Sequence, residues 1–331
     1  MSTGTTAPPA PQLHETSGLQ VSRILSALVI LLVIALMLAP FHERHNDRFF
    51  EYAWDLMHFP AAVMLFFSFL CWTPRRFGSA ARSAIALASV MAFSACIERI
   101  QPLVGRDCDL RDFILSTAGG IASVGLYAVV IPARRVFRML GLATVALMVA
   151  LVLRPPVSIL MDRWQAARTF PILASFATRS EMGRWTGEGC RLSRISRPGV
   201  AHAWAMRAEV VEGVSYAGAF LIDAPKDWRG LERLCIATFL PGSNAVPIWV
   251  RVNDRQPSSY ADRYQCCTVF KPGPNRICID RNQLVTTPSG RSLDLSHIVG
   301  CGLFFDVSVP GQTLIIEDIL IETNKTADSV R

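Results

Sequence analysis

Five apolar stretches dominate the first half of this chain and leave few architectures open to it. They run over Val21–Ala39, Trp54–Trp72, Ser79–Ile97, Phe113–Ile131 and Val136–Leu153. Each approaches the roughly 20 residues that a helix needs to cross a hydrocarbon core. The first has no acid or base after Arg23, and the second has Asp55 and His58 in its first turn only. About five transmembrane helices are therefore expected. Composition agrees: the 331 residues are 51% hydrophobic and only 18% charged, against roughly 25% charged in a soluble protein. That excludes a disordered chain and argues against an ordinary cytosolic enzyme. The charge is also unevenly spread, with 13 basic and 9 acidic residues in 1–159 against 20 and 17 in 160–331. A membrane domain over 21–155 followed by a soluble domain is the expected organisation. Residues 1–20, rich in Ser, Thr and Pro, and residues 325–331 read as tails. The first stretch follows a basic residue as a signal peptide would, but no small-residue cleavage site follows it, so a retained helix is expected.

Charge sets the expected orientation. The tail with Arg23, the Arg75-Arg76…Arg82 loop and the Arg134-Arg135…Arg138 loop hold seven Arg and one acid, Glu15. Segments 41–55 and 98–112 hold five Arg and eight acids. Basic loops stay on the cytoplasmic side. Five crossings from an inside N-terminus then put residue 160 onward outside the membrane.

The acidic side gathers a candidate catalytic cluster: Asp55, His58, Glu98, Gln101, Arg106 and Asp112. Asp55 and His58 share a helix face, as do Glu98 and Gln101, and Pro102 stops the third helix. Asp109 and Asp112 also suit capping of the fourth helix. Ionisable groups at membrane depth are costly and commonly functional. Such a set suits binding of a polar head group, acid–base chemistry centred on His58, or a divalent metal on Asp55, His58 and Glu98. The absence of a second His at ligand spacing makes the metal the weakest of the three.

The ordered run Asp55-x-x-His58-Phe59, Glu98-x-x-Gln101-Pro102, Arg106-x5-Asp112 and Gly119 resembles the VanZ-like membrane family over roughly residues 45–132. The resemblance implies a membrane topology and a candidate site, and carries no reaction with it. Ser116 stands where that pattern usually has Asn.

Residues 156–170 read as an amphipathic linker, with Ile159, Leu160, Trp164, Ala167 and Phe170 on one side and Arg163 and Arg168 near head groups. From Pro171 the pattern changes to short alternating runs, including Ala203–Val210, Tyr216–Ile222, Leu234–Phe239, Ile248–Val252, Gln265–Val269, Arg276–Ile279, Gly302–Val307 and Thr313–Ile321, with turn signals between many of them. An all-β antiparallel sandwich over 171–324 is expected. Helical periodicity is confined to Asp227–Leu234 and Leu293–Val299. The order Phe170-Pro171…Phe176, Asp227-Trp228, Asp254, Tyr264, Lys271-Pro272-Gly273, Arg291-x-Leu293-Asp294-Leu295 and Ile316–Ile321 is similar to the jelly-roll sandwiches of carbohydrate-binding modules and galactose-binding-like domains. That resemblance implies a sugar-stacking face. Trp249 alternates opposite the aliphatic residues of its run, which makes it the expected stacking residue, with Arg251, Asp254 and Arg263 beside it. It also implies a structural calcium at Asp318.

Of nine Cys, six fall in the soluble half, where an oxidising compartment would allow fifteen pairings. No Cys-x-x-Cys occurs, against zinc or thioredoxin-type chemistry. The net charge of +7 sits largely in loops that topology explains, without a basic stripe, and no phosphate-binding fingerprint is present. Nucleic acid is therefore not an expected partner. The expected partners are the bilayer and a glycan or lipid-linked sugar. The expected role is envelope or exported-polysaccharide handling at a bacterial inner membrane, with the sandwich in the periplasm. The rival readings are a membrane-embedded enzyme on a lipid-linked sugar and a structural anchor for a protein-docking sandwich.

Overall fold

The computed structural model describes residues 13–39, 48–106, 108–131, 134–254, 260–306 and 309–323. The extreme tails and Asp107 lie outside the described residues. The chain forms two compact units, a helical one reaching Val157 and one from Ser158 onward, with residues 46–48 grouped with the second.

The helical unit contains α1 (Leu13–Leu38), α2 (Arg48–Asp55), α3 (His58–Trp72), α4 (Ser79–Ile100), α5 (Leu110–Val130) and the first part of α6 (Arg135–Thr169). Among the described residues, five spans are long and apolar enough to cross a membrane, α2 and α3 together forming one of them. Helix α1 begins at Leu13, inside the stretch expected to be a disordered tail. Helix α4 gives way at Ile100 to a 3-10 turn over Gln101–Val104, with Pro102 within it and Gly105 at φ +79° closing it. Only glycine adopts that left-handed conformation without cost. Asp109 caps α5, its carboxylate accepting the Arg111 N–H at 2.8 Å.

Glycines set the helix spacing. A Cβ on Gly119 would sit 2.4 Å from the Phe59 carbonyl oxygen and 2.9 Å from the Ala62 methyl, so α5 lies directly against the α3 backbone. Gly125 and Gly141 face each other's carbonyl oxygens in the same way across α5 and α6. Such small-residue contacts permit close helix approach. Gly119→Ala is expected to force α3 and α5 apart and to destabilise the bundle by about 1–3 kcal/mol, read as a lower midpoint in a thermal melt of the detergent-solubilised protein.

Helix α6 includes the segment expected to be an amphipathic linker. It runs on through Pro155 and Pro156 to Thr169. Its buried positions there include Ile159, Asp162 and Ala166, while Leu160 and Trp164 are exposed. Of the expected apolar stripe, Ile159 is buried, Leu160, Trp164 and Ala167 are exposed and Phe170 is half-buried. Trp164 instead lies beneath the Arg168 guanidinium, 3.7 Å from its ring centre.

The second unit is an antiparallel β-sandwich. Its strands are β1 (Ile172–Ala174), β2 (Trp185–Glu188), β3 (Cys190–Ser196), β4 (Trp204–Val210), β5 (Gly218–Leu221), β6 (Leu231–Leu240), β7 (Val246–Asp254), β8 (Tyr264–Phe270), β9 (Gly273–Asp280), β10 (Ile298–Phe305) and β11 (Thr313–Thr323). One sheet has the order β3-β4-β11-β6-β9, with β1 also on β11; the other has β2-β5-β10-β7-β8. From β4 onward, strands pair as 4-11-6-9 in one sheet and 5-10-7-8 in the other, which is the jelly-roll connection of two Greek keys. The second half of the segment expected to be helical at 227–234 lies in β6; helix α7 (Arg281–Val285) is elsewhere. Alternate residues Ile248, Val250 and Val252 of β7 meet Ile236, Ile316 and Ile319 of the facing sheet in one buried core. Each such side chain contributes roughly 1.5–3 kcal/mol of hydrophobic stabilisation.

Cys235 and Cys278 form a disulfide across the β6–β9 pair, where they are register partners. Cys190 and Cys301 are buried thiols, and burial pushes them up to about 11 and about 12, which makes them unreactive. Cys266 packs against the core and Cys267 is exposed, as opposite faces of β8 require.

Candidate functional site

In the helical unit, α3, α4 and α5 each deliver one ionisable side chain to a common point. His58 opens α3, Glu98 lies in the last turn of α4 and Asp112 in the first turn of α5; all three are buried. One ligand atom from each lies within 4.8 Å of the other two. His58 Nδ1 is 3.0 Å from the Asp55 carbonyl oxygen. A carbonyl only accepts, so Nδ1 carries the proton. His58 Nε2 then faces Asp112 Oδ2 at 3.5 Å. Glu98 Oε2 accepts the Asp109 N–H at 3.1 Å, which fixes its side chain against the start of α5.

The other expected members stand around this trio with separate partners. Gln101 Nε2 donates to the Met37 carbonyl at 3.4 Å, and Arg106 Nη1 donates to the same oxygen. The Asp55 carboxylate turns away to Arg111 at 3.0 Å, and that guanidinium also covers the Tyr52 ring. Capping describes Asp109 but not Asp112, which is only 3% exposed. Ser94 and Ser116 are buried as well. Ser94 was legible as the i, i+4, i+7 series with Glu98 and Gln101; Ser116 follows Asp112 by one turn. A cavity of about 120 Å³ opens beside the trio, with His58 and Arg106 at its polar side and Trp54, Met57 and Met64 among its apolar walls.

The sandwich has two outer faces of different character. On the six-stranded sheet, Arg233 pairs with Asp280 at 2.9 Å, Arg276 with Glu322 at 3.5 Å and Arg207 with Glu209 at 3.0 Å. That face is a solvated mesh of charge pairs. The five-stranded sheet carries rings instead. Its register aligns Gly218, Phe304, Trp249 and Cys267 in one row, and Phe220, Gly302, Arg251 and Gln265 in the next. Trp249 stacks beside Phe304 with centroids 6.0 Å apart and planes 10° apart; Phe220 and Phe304 are 6.5 Å apart at 24°. Tyr216, just before β5, closes the group 5.4 Å from Phe304. The Arg251 guanidinium lies 4.5 Å from the Phe304 ring centre and 5.7 Å from that of Phe220, within cation–π range.

Glycine makes this arrangement possible. A Cβ on Gly302 would stand 2.4 Å from the Phe220 ring, and one on Gly218 would stand 2.6 Å from the Phe304 Cβ. Each ring therefore rests on bare backbone of the adjacent strand.

The structure thus places Trp249 and Arg251 together on one face and adds Phe220, Phe304 and Tyr216 to them. Asp254 is elsewhere: its carboxylate is buried, takes both Arg291 nitrogens at 2.7 Å and accepts the Asp294 N–H at 2.8 Å. It holds the β7 end to the segment before β10. Arg263 lies in the turn entering β8. Asp318 pairs with Arg197 at 3.3 Å, beside the Arg197–Glu317 pair at 2.9 Å. Among the described residues it belongs to no close metal-capable group.

Residues 7–131 match the VanZ/LLP1 family model. No curated protein matches the chain. Among solved structures, the chain is similar to an exo-β-agarase, with 17% identity and a TM-score of 0.39 over 46% of this chain and 25% of that one. It is also similar to a family 11 carbohydrate-binding module from Clostridium thermocellum in complex with a mixed-linked β-1,3-1,4 tetrasaccharide, with 16% identity and a TM-score of 0.34 over 46% of this chain and 95% of that one. A third likeness is to a carbohydrate-binding module in complex with β-1,4-galactotriose, with 12% identity and a TM-score of 0.29 over 44% of this chain and 91% of that one. The match thus spans a quarter of the agarase's length.

Proposed function

We propose that the protein is a membrane-anchored glycan binder that holds cell-envelope or exported polysaccharide on the five-stranded face of its sandwich. The observation that carries this reading is the row of rings Phe220, Phe304 and Trp249 with Arg251 among them. Sugar rings present apolar C–H faces and a rim of hydroxyls. A flat aromatic surface receives the first, and Arg251, only 5% exposed, packs against the Phe304 and Phe220 rings and holds that surface. On the outer face of the other sheet the guanidiniums of Arg207, Arg233 and Arg276 are paired with carboxylates.

Membrane placement belongs to the same proposal. Five membrane-length helices and the VanZ/LLP1 match support an integral membrane protein. The loop charges support an inside N-terminus, with the sandwich outside a bacterial inner membrane. The Cys235–Cys278 disulfide supports an oxidising compartment for the sandwich.

The test is titration of the detergent-solubilised full chain with a panel of β-linked gluco-, galacto- and xylo-oligosaccharides by calorimetry. At least one class should bind, and Trp249→Ala should weaken it about tenfold or more, the loss of one large buried contact. Flat titrations across the panel, or unchanged affinity in Trp249→Ala, would refute the reading.

A further inference from the structure

We infer that His58, Glu98 and Asp112 form a binding site for a first-row divalent metal ion inside the helical unit. The expected metal set was Asp55, His58 and Glu98; the structure replaces Asp55 with Asp112. The argument starts from hydrogen-bond valence. With the proton on His58 Nδ1, its Nε2 is a bare lone pair, and what it faces is a carboxylate oxygen at 3.5 Å. Two acceptors in contact repel unless a cation stands between them. His58 is 4% exposed and Asp112 is 3% exposed, so bulk solvent does not reach them. Among the described residues, His58 Nε2 and Asp112 Oδ1 have no hydrogen-bond partner; Ser116 Oγ and Gln101 Oε1, also fully buried, have none either. Glu98 brings a second carboxylate to within 4.8 Å of both. Two carboxylates buried this close in an apolar bundle need compensating positive charge, and Arg106 beside His58 supplies a single one.

A divalent ion resolves all of this together. Bonds of about 2.0–2.1 Å put two ligands on one ion roughly 3.3 Å apart, close to the observed separation of His58 and Asp112. Two carboxylates cancel the ion's charge. The Asp55 carbonyl on Nδ1 and the Asp109 N–H on Glu98 are the outer hydrogen bonds that orient metal ligands. One imidazole with two carboxylates suits manganese or zinc rather than a soft ion. Among the described residues, the other close group of metal-capable side chains, Cys235, Cys278 and Glu322, has its two sulfurs joined to each other.

The experiment uses untagged full-length protein in detergent, stripped with chelator and titrated with Mn2+, which avoids the free thiols. Loss of the free-ion electron paramagnetic resonance signal reads binding. One Mn2+ per chain is expected, displaced by Zn2+, with His58→Ala and Asp112→Asn each weakening it at least tenfold. If His58→Ala fails to fold, the wild-type stoichiometry and the near-isosteric Asp112→Asn still decide. No binding by the wild type at 1 mM Mn2+ (on the order of the weakest specific sites) would mean that a shared proton alone satisfies the pair, and would overturn the assignment. Unchanged binding in Asp112→Asn would overturn it equally.

Discussion

Asp162→Ala is expected to destabilise the sandwich unit by about 3–5 kcal/mol, the range for stripping one partner from a buried ion pair. Arg184 meets Asp162 with both arms of its guanidinium, Nε to Oδ2 at 2.7 Å and Nη2 to Oδ1 at 2.9 Å. The two side chains are 4% and 1% exposed. Without the carboxylate, Arg184 keeps only weak contacts to the carbonyls of Asp162 and Leu173, at 3.3 and 3.5 Å. A charge is then buried with neither water nor counterion. The fluorescence melting midpoint of the solubilised protein should fall by about 10 °C. The double variant Asp162→Leu/Arg184→Met should recover most of that loss, because removing both charges removes the desolvation penalty together with the attraction. An equal loss in single and double variants would place the effect in packing instead.

Reduction of the Cys235–Cys278 bond is expected to cost about 2–4 kcal/mol. The bond closes a loop whose ends are 43 residues apart in sequence, a segment comprising β7, β8 and most of β6 and β9. Opening it restores that segment's freedom to the unfolded chain while the β6–β9 ladder still holds the native pair together. Cys278 is exposed, so reductant reaches the bond without prior unfolding. The melting midpoint should therefore fall in dithiothreitol, and Cys235→Ala/Cys278→Ala should start at the lower midpoint and show no response to reductant. A reductant-insensitive wild type would contradict this.

Much of the fold was readable locally. A bilayer-length helix needs its apolar residues in one unbroken run, and the jelly roll shows in β7, where Ile248, Val250 and Val252 alternate against Trp249, Arg251 and Asn253. Readability failed where the deciding partner is remote. Asp254 beside a tryptophan looks like an open ligand until Arg291, 37 residues later, is folded onto it. Phe220 and Phe304 join Trp249 only through the β5–β10–β7 register, which no local pattern encodes. The apolar run ends at Leu153, yet helix α6 continues through Pro155-Pro156 and buries Asp162 on Arg184. Strands β2 and β3 were missed because edge strands bury little, and Arg191 and Arg194 blur the alternation of β3.

Gly218 and Gly302 leave Phe304 and Phe220 lying on bare peptide backbone, which fixes the rings before anything arrives. Side chains already confined to one rotamer surrender little entropy on association. If the proposed glycan binding holds, recognition on this face is a matter of fit rather than adjustment: flat, equatorially substituted sugar rings would settle onto it, and rings with axial groups on the apposed side would be held off.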